Sequence, residues 1–150
     1  MGIQDLLTEN LIKSELSGEN KYQVIEELLD LLVAENKIED RETCLKDLNE
    51  REQYLSTGLE NGLAIPHAKT IAVNELLISF GISRNGLDFA SLDGKPAHFI
   101  FLVISPRDVA GPHIQILAQL SRNFKSDDLA EKMMSAQNNQ EILNIIQDFK

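Results

Sequence analysis

The chain has 150 residues, 43% of them hydrophobic and 25% charged, which is typical of one folded globular domain and too apolar for a disordered segment. Its formal net charge is −10 at pH 7, which disfavours a nucleic-acid-binding protein, because such a protein needs a basic face. The acid is concentrated early: residues 1–50 hold 13 acidic and 5 basic side chains, whereas residues 51–125 are close to neutral. An anionic ligand would therefore be bound most readily by the middle of the chain.

The single cysteine, Cys44, excludes an internal disulfide and a cysteine-based zinc site, and its place in a helical pattern predicts a small buried side chain. The longest apolar run, Phe99 to Ile104, is too short to span a bilayer, and the N-terminus lacks a secretory signal. We therefore expect a cytoplasmic protein with no direct membrane insertion, and we expect residues 1–150 to form one domain.

The first third of the chain predicts two amphipathic helices. A short strand is predicted at Asn10 to Lys13. From Lys21 to Val33, apolar residues recur at spacings of three and four, and Asn20 with Gln23 forms a capping-box pattern before them. A second helix is predicted from Asp40 to about Tyr54, with Cys44, Leu45 and Leu48 facing inward.

The middle of the chain predicts strands. Turn signals at Ser56-Thr57-Gly58 and Asn61-Gly62 precede a brief strand, Leu63 to Ile65, which we expect Pro66 to end. The near-continuous apolar runs Glu75 to Ser83 and Ala97 to Ser105 are typical of strands covered on both faces. Asn85-Gly86 and Asp93-Gly94 predict tight turns between them.

The last third predicts three helices. The first begins at Gly111-Pro112, with an apolar face of Ile114, Leu117, Leu120 and Phe124. Ser126 is expected to cap a short second helix, and Asn138 with Glu141 a final one. This order predicts an α/β fold with a mixed central β-sheet flanked by helices on both faces.

Two of the three histidines lie where an imidazole can react or bind an anion. His67 follows Pro66, whose restricted backbone would hold the ring in one direction, although a strand-end histidine bonded to a carbonyl is also possible. His113 lies in the first turn of a predicted helix, where free amides attract anions, or it is merely exposed there. His98, on a strand, is predicted to be structural.

An arginine and a turn are further candidates. Arg51 offers a planar, permanently charged fork for an anion, or it forms a surface ion pair with Glu50 or Asp47. Ser56 and Thr57 either donate to the same anion or stabilise a turn. Glycine-rich nucleotide-binding motifs and paired metal-binding histidines are absent from the sequence. A zinc site formed by His67, His113 and a carboxylate such as Asp108 remains an alternative interpretation, although no metal-binding motif supports it.

The segments 49–58 and 61–69, with their pattern Arg51-Glu52, Ser56-Thr57-Gly58 and Ala64-Ile65-Pro66-His67, resemble a known family. They are similar to the enzyme IIA domain of the fructose/mannitol class of the bacterial sugar phosphotransferase system, including its nitrogen-regulatory branch. The segments 92–96 and 111–114 match the same family, so the resemblance covers nearly the whole chain.

The resemblance implies a phosphocarrier with the family's mixed-sheet fold. It implies that His67 accepts a phosphoryl group through Nε2 from the carrier protein HPr, that His113 orients the phosphoryl oxygens, and that Arg51 offsets their charge. It implies that Ser56, Thr57 and Gly58 border the phosphoryl pocket. We further expect partners to dock on an apolar collar of Leu59, Leu63 and Ile65, and no cofactor or metal is implied.

Three functions stay open at this point. The first is a transport phosphocarrier that passes the group to an enzyme IIB and so to a sugar. The second is a regulatory module whose phosphorylation controls a partner protein. The third is a metal-dependent hydrolase that uses His67 and His113.

Overall fold

The computed structural model describes residues 2–150. Two 3-10 turns, Ile3–Asp5 and Glu9–Leu11, precede strand β1 (Ile12–Lys13) and helices α1 (Lys21–Ala34) and α2 (Arg41–Tyr54). Strands β2 (Leu63–Ala64), β3 (His67–Thr70), β4 (Leu77–Leu87) and β5 (Ala97–Pro106) follow. The chain then forms helices α3 (Gly111–Asn123), α4 (Asp127–Ser135) and α5 (Asn139–Gln147). The five predicted helices and the predicted short strand near residue 12 are confirmed.

The strands form one mixed sheet. β4 and β5 pair antiparallel in the centre, and β1 adds to β4 in parallel. On the other edge of β5, β2 and β3 both pair with it in parallel, one after the other along the same strand. Strand β3, which begins with His67, forms part of this edge of the sheet.

Helices cover both faces of the sheet, as predicted. On one face, the hydroxyl of Ser79 in β4 donates to the carbonyl of Leu28 in α1 at 2.9 Å. On the other face, the ring of Phe80 stacks on Phe101 of β5, which in turn contacts Phe124 at the end of α3. Successive residues of a strand point to opposite faces, so both faces of β4 are packed. The near-continuous apolar strands follow from this two-sided burial.

Side-chain caps begin three of the helices. Asn20, Asp40 and Asn138 each accept a hydrogen bond from the backbone N–H three residues later. The reciprocal bond of the first cap is shifted: Gln23 Oε1 accepts from the N–H of Glu19, not of Asn20. Ser126 occupies the cap position of α4, but its side chain makes no capping hydrogen bond.

The strand prediction around Pro66 was incomplete. Pro66 separates β2 from β3, but it does not end the strand pairing, because its carbonyl accepts from the N–H of Val103 at 3.0 Å. A proline removes a donor and leaves its acceptor in place. His67 therefore follows the end of β2 and begins β3, which pairs with the same central strand.

The tight turn expected at Asn85-Gly86 was wrong. Both residues lie inside β4, where the register with β5 shifts between Ile82 and Leu87. Gly86 has φ of +84°, a conformation that suits glycine, so the signal that predicted a turn marks a β-bulge. The turn at Asp93-Gly94 is confirmed, with the N–H of Gly94 donating to the carbonyl of Ser91.

The apolar face of α3 was predicted correctly apart from its first residue, since Leu120 and Phe124 are buried and Leu117 is partly buried against the core. Ile114 is 63% exposed, whereas His113, Ile116 and Leu120 are buried. Ile116 was not on the predicted face, but it lies four residues before Leu120 and eight before Phe124, a spacing that places all three on one side of a helix. Within residues 2–150, no helix is both long and apolar enough to cross a bilayer.

Candidate functional site

The imidazole of His67 is held by the backbone just before it. Its Nδ1 lies 2.7 Å from the carbonyl oxygen of Ile65. A carbonyl only accepts, so the neutral ring carries its proton on Nδ1 and leaves the lone pair on Nε2. The N–H of Ile65 donates to the carbonyl of Thr57 at 3.1 Å, which fixes the same peptide from the other side. The nitrogen of His67 that is free to act as a nucleophile or an acceptor is therefore Nε2.

His113 is buried, although it lies in the first turn of α3. The residue is 5% exposed, and its Nδ1 lies 2.7 Å from Oγ of Ser105 in β5. The interpretation of His113 as an exposed helix-start residue is therefore wrong. Burial against the sheet brings its ring to His67, with 5.3 Å between the ring centroids and an edge-on angle of 62°.

A cleft opens at these two rings, and we call it the histidine cleft. It is lined by Asp47, Glu50, Arg51, His67, Ala68, Lys69 and His113. Helix α2, strand β3 and the start of α3 each contribute to it. Residues 67 and 69 share one side of β3, because successive strand residues point in opposite directions. His113 of α3 lies on the same side, so the three side chains His67, Lys69 and His113 line one cleft.

Arg51 is in the last turn of α2 and reaches the same cleft. Its Nη1 donates to the carbonyl of Leu55 at 2.6 Å, while its own carbonyl accepts from the N–H of Leu55. Within residues 2–150 it forms no ion pair with Glu50 or Asp47, the alternative that the sequence left open. The guanidinium is therefore oriented by one neutral bond and keeps donors for an anion.

Burial and nearby charge keep both imidazoles neutral. Burial lowers the pKa of His67; the hydrogen bond to Ile65 opposes this effect, and the charge of Arg51 adds to it. Burial lowers the pKa of His113 to about 4, with smaller contributions from His67 and Lys69. At neutral pH the cleft thus presents two uncharged rings beside two cations, Arg51 and Lys69, and two carboxylates, Asp47 and Glu50. An uncharged ring next to a cation is suited to nucleophilic attack on an anionic group.

The three predicted pocket residues hold the loop after α2. The Ser56 hydroxyl donates to the carbonyl of Phe89, and the Thr57 hydroxyl and N–H donate to Glu52 at 2.5 and 3.1 Å. A side chain at Gly58 would come within 2.8 Å of the carbonyl oxygen of Phe89. Both hydroxyl donors are therefore used inside the protein, and Ser56 and Thr57 border an adjoining pocket that also contains His67.

The structure changes the expected apolar collar. Leu63 and Ile65 are 2% and 3% exposed, so these two side chains belong to the core and form no contact surface for a partner. Leu59 is half-buried. The exposed leucines beside His67 are instead Leu55 and Leu92, which line the adjoining pocket.

The other predicted residues lie away from the cleft. His98 bonds to the carbonyl of Ser83 through Nδ1 and is structural, as expected. Cys44 is buried, and burial raises the pKa of its thiol to about 11. Across residues 2–150, no three histidine, cysteine or carboxylate side chains are grouped to hold a metal ion, so Asp108 does not complete such a set with the histidines.

Several residues of the site were missed in the sequence. Asp47, Glu50 and Ala68 line the cleft, although Asp47 and Glu50 were considered only as ion-pair partners of Arg51. Glu52 is 2% exposed and supports Thr57, Lys69 lies in the cleft, and Ser105 contacts His113. Lys69 carried a signal, because in a strand residue 69 shares a face with residue 67. Ser105 carried none, since its contact with His113 depends on how α3 packs on β5.

Known proteins share this sequence and fold. The family model for the phosphoenolpyruvate-dependent sugar phosphotransferase system, EIIA 2, matches residues 5–149. A fructose-specific EIIA component from Haloferax volcanii is 38% identical over 91% of this chain and 88% of its own length. The fructose-specific EIIABC component of Bacillus subtilis is 35% identical over 97% of this chain, which spans only 23% of that longer protein.

A solved structure agrees with these matches. The nitrogen regulatory protein IIA-Ntr from Neisseria meningitidis superimposes with a TM-score of 0.87, covering 96% of this chain and 98% of that one at 28% identity. The mixed sheet with helices on both faces is thus an arrangement shared with a characterised fold.

Proposed function

Since the chain belongs to the EIIA 2 family of the phosphoenolpyruvate-dependent sugar phosphotransferase system, we propose that it is a phosphocarrier that accepts a phosphoryl group on His67. The donor would be phosphorylated HPr in the cytoplasm, and the acceptor an enzyme IIB of a fructose/mannitol-type uptake system. One observation carries this proposal. The 2.7 Å contact between His67 Nδ1 and the Ile65 carbonyl leaves Nε2 as a free nucleophile in a cleft with Arg51 and His113.

The transfer is an in-line displacement at phosphorus. The lone pair of His67 Nε2 forms the new P–N bond while the P–N bond to the donor histidine breaks, and the donor ring recovers its electron pair. The Nδ1 proton of His67 stays on the ring and continues to donate to Ile65. Because the donor is an activated phosphoramidate, catalysis consists mainly of positioning and charge stabilisation.

Positive charge around the cleft stabilises the transferred group. Arg51 and Lys69 supply two cations to a cleft that the carboxylates of Asp47 and Glu50 also line, and the first turn of α3, which has no side-chain cap, carries His113. Transfer brings the negative charge of the phosphoryl oxygens into the cleft. The cations and the amides of this first turn therefore stabilise the phosphorylated protein more than the unphosphorylated one.

Partners would dock on the exposed apolar side chains beside the cleft. Leu55 is 65% and Leu92 76% exposed, and both line the pocket that contains His67. Apolar contacts next to a reactive group suit a partner that must approach closely and then leave. The net charge of −10 suits a basic rim on HPr, since opposite charges speed association.

Labelling with phosphoenolpyruvate, enzyme I and HPr tests the proposal. We expect one acid-labile, alkali-stable phosphoryl group per chain, absent in His67→Ala and retained in His98→Ala. Labelling of His67→Ala at the wild-type level would overturn it. So would a zinc-containing purified protein that hydrolyses phosphoesters and takes no label.

The second candidate is a regulatory role. The superposition on IIA-Ntr favours it, since a nitrogen regulatory protein has the same fold at 28% identity. The match to the Haloferax fructose component, at 38%, favours transport. Adding a cognate IIB and sugar to the phosphorylated protein separates the two: discharge indicates transport, and a phosphoryl group that no IIB removes indicates regulation.

A further inference from the structure

Ser105 contacts the second histidine of the cleft from beneath. Its Oγ lies 2.7 Å from Nδ1 of His113, and the two residues are 0% and 5% exposed. In β5, Ser105 pairs with Lys69 of β3, and Val103 pairs with His67. Residues 103 and 105 share one face of the strand, so Ser105 lies on the face that carries His67.

The partners available to each group determine which of them donates in this hydrogen bond. Among residues 2–150, the Ser105 hydroxyl has no partner other than His113. If the ring donated, the hydroxyl proton would be buried without an acceptor, which is unfavourable. If the hydroxyl donates, both groups are satisfied. The second arrangement is therefore favoured.

This direction gives His113 the opposite tautomer to His67. A ring that accepts at Nδ1 carries its proton on Nε2 when it is neutral. His67 donates at Nδ1 to Ile65 and keeps its lone pair on Nε2. One ring thus offers a nucleophile, and the other offers a hydrogen-bond donor.

We propose that Ser105 is a positioning residue that holds His113 as the Nε2–H tautomer, so that this N–H donates to an oxygen of the phosphoryl group on His67. The inference rests on the proposed phosphocarrier function. During transfer one P–N bond breaks and another forms, while His113 keeps its proton throughout. The other tautomer would direct a lone pair at an anionic oxygen and repel it.

Imidazole nitrogen shifts measure the tautomers directly. In a long-range ¹H–¹⁵N correlation spectrum of the whole labelled chain at pH 7, we expect His113 protonated at Nε2 and His67 at Nδ1. A His113 ring protonated at Nδ1 would overturn the proposal. The measurement needs no phosphoryl donor, so it gives its answer even if the phosphocarrier function fails.

The removal of the hydroxyl tests its contribution to transfer. Ser79→Ala is the matched control, since Ser79 is also a fully buried strand serine but donates to Leu28 in α1. At saturating phospho-HPr, we expect Ser105→Ala to transfer roughly tenfold more slowly with unchanged HPr affinity, by analogy with the loss seen when the hydrogen-bond partner of a metal-binding histidine is removed. Ser79→Ala should keep the wild-type rate. Equal rates in all three proteins, or equal losses in both variants, would contradict the role of Ser105.

Discussion

Glu52 and His67 are linked by three consecutive hydrogen-bonded contacts. Glu52 accepts from the N–H and hydroxyl of Thr57, the Thr57 carbonyl accepts from the N–H of Ile65, and the Ile65 carbonyl contacts Nδ1 of His67. Glu52 also pairs with Lys21 of α1 at 3.1 Å. The direction of the His67 ring is therefore supported by a buried carboxylate on helix α2.

Glu52→Gln should lower the free energy of unfolding by about 3 kcal/mol, because one partner of a largely buried ion pair is removed and Thr57 loses a charged acceptor. Phosphoryl acceptance should fall with it. Urea denaturation measures the stability change. Glu26→Gln is the control, since the Glu26 side chain is 47% exposed in its ion pair with Arg41 and should cost less than about 1 kcal/mol. Equal losses in the two variants would contradict the structural role of Glu52.

Arg51→Ala should slow phosphoryl acceptance by about tenfold or more, since it removes a charge worth about 1.4 kcal/mol or more to the transferred group. The fold should be retained. Arg122→Ala is a matched control, because Arg122 also lies in the last turn of a helix and donates to a backbone carbonyl. Stopped-flow transfer from phospho-HPr gives the rates. If Arg51→Ala alone unfolded, Arg51 would be a structural residue.

His67 should titrate below pH 6.5, the ordinary value for a histidine, because burial and Arg51 lower its pKa. The nucleophile is the neutral ring, so acceptance should persist as the pH falls and decline only below that value. In Arg51→Ala the pKa of His67 should rise, because an opposing cation is lost. NMR titration of the ring measures both values. A His67 pKa above 6.5 in the wild type would refute this explanation of its environment.

Stability should fall in acid partly because of His113. Its pKa is lowered to about 4, below the unfolded value of about 6.5, so the unfolded chain binds the extra proton first. The stabilisation is complete above pH 6.5 and is lost as the pH falls towards 4, by at most about 3 kcal/mol. Urea denaturation across this range should show a shallower pH dependence in His113→Gln. An unchanged slope would mean that His113 is charged in the folded protein.

Leu92→Ser should weaken HPr binding by about tenfold, the loss expected for one apolar contact near the centre of an interface. Met134→Ser is the control, since Met134 is also partly exposed but lines a different cleft with His98. Isothermal titration with HPr compares the two. Weaker binding in both variants, or in neither, would show that Leu92 is not a specific part of the docking surface.

Periodicity and end signals predicted most of the helices and the central strands. Asn20, Asp40 and Asn138 cap the helices they were expected to begin, because capping depends on a side chain and an N–H three residues away. Predictions from local sequence patterns were wrong where the same pattern occurs in two kinds of structure. Asn85-Gly86 suits a turn or a bulge, and only pairing with β5 decides between them.

The site was predicted in part, for a physical reason. His67, His113 and Arg51 were found through their motif and their positions relative to proline and a helix end. The acceptor for His67 and the donor to His113 were not identified. Ile65 is only two residues from His67 and Ser105 is eight residues from His113, so both contacts depend on how the local backbone directs these side chains, which residue types alone do not show. Leu63 and Ile65 were expected at the surface because an apolar residue beside a reactive one looks the same in sequence whether it is buried or exposed.

Under the proposed function, the break at Pro66 affects how a partner would distinguish the phosphorylated protein from the unphosphorylated one. His67 follows the break directly, and both flanking segments, β2 and β3, stay hydrogen-bonded to the central strand β5. An added phosphoryl group thus meets a backbone that has little freedom to rearrange. We expect the phosphorylated and unphosphorylated forms to have nearly the same shape. A protein that responds to one of them therefore has to sense about two extra negative charges at a single point on an otherwise unchanged surface.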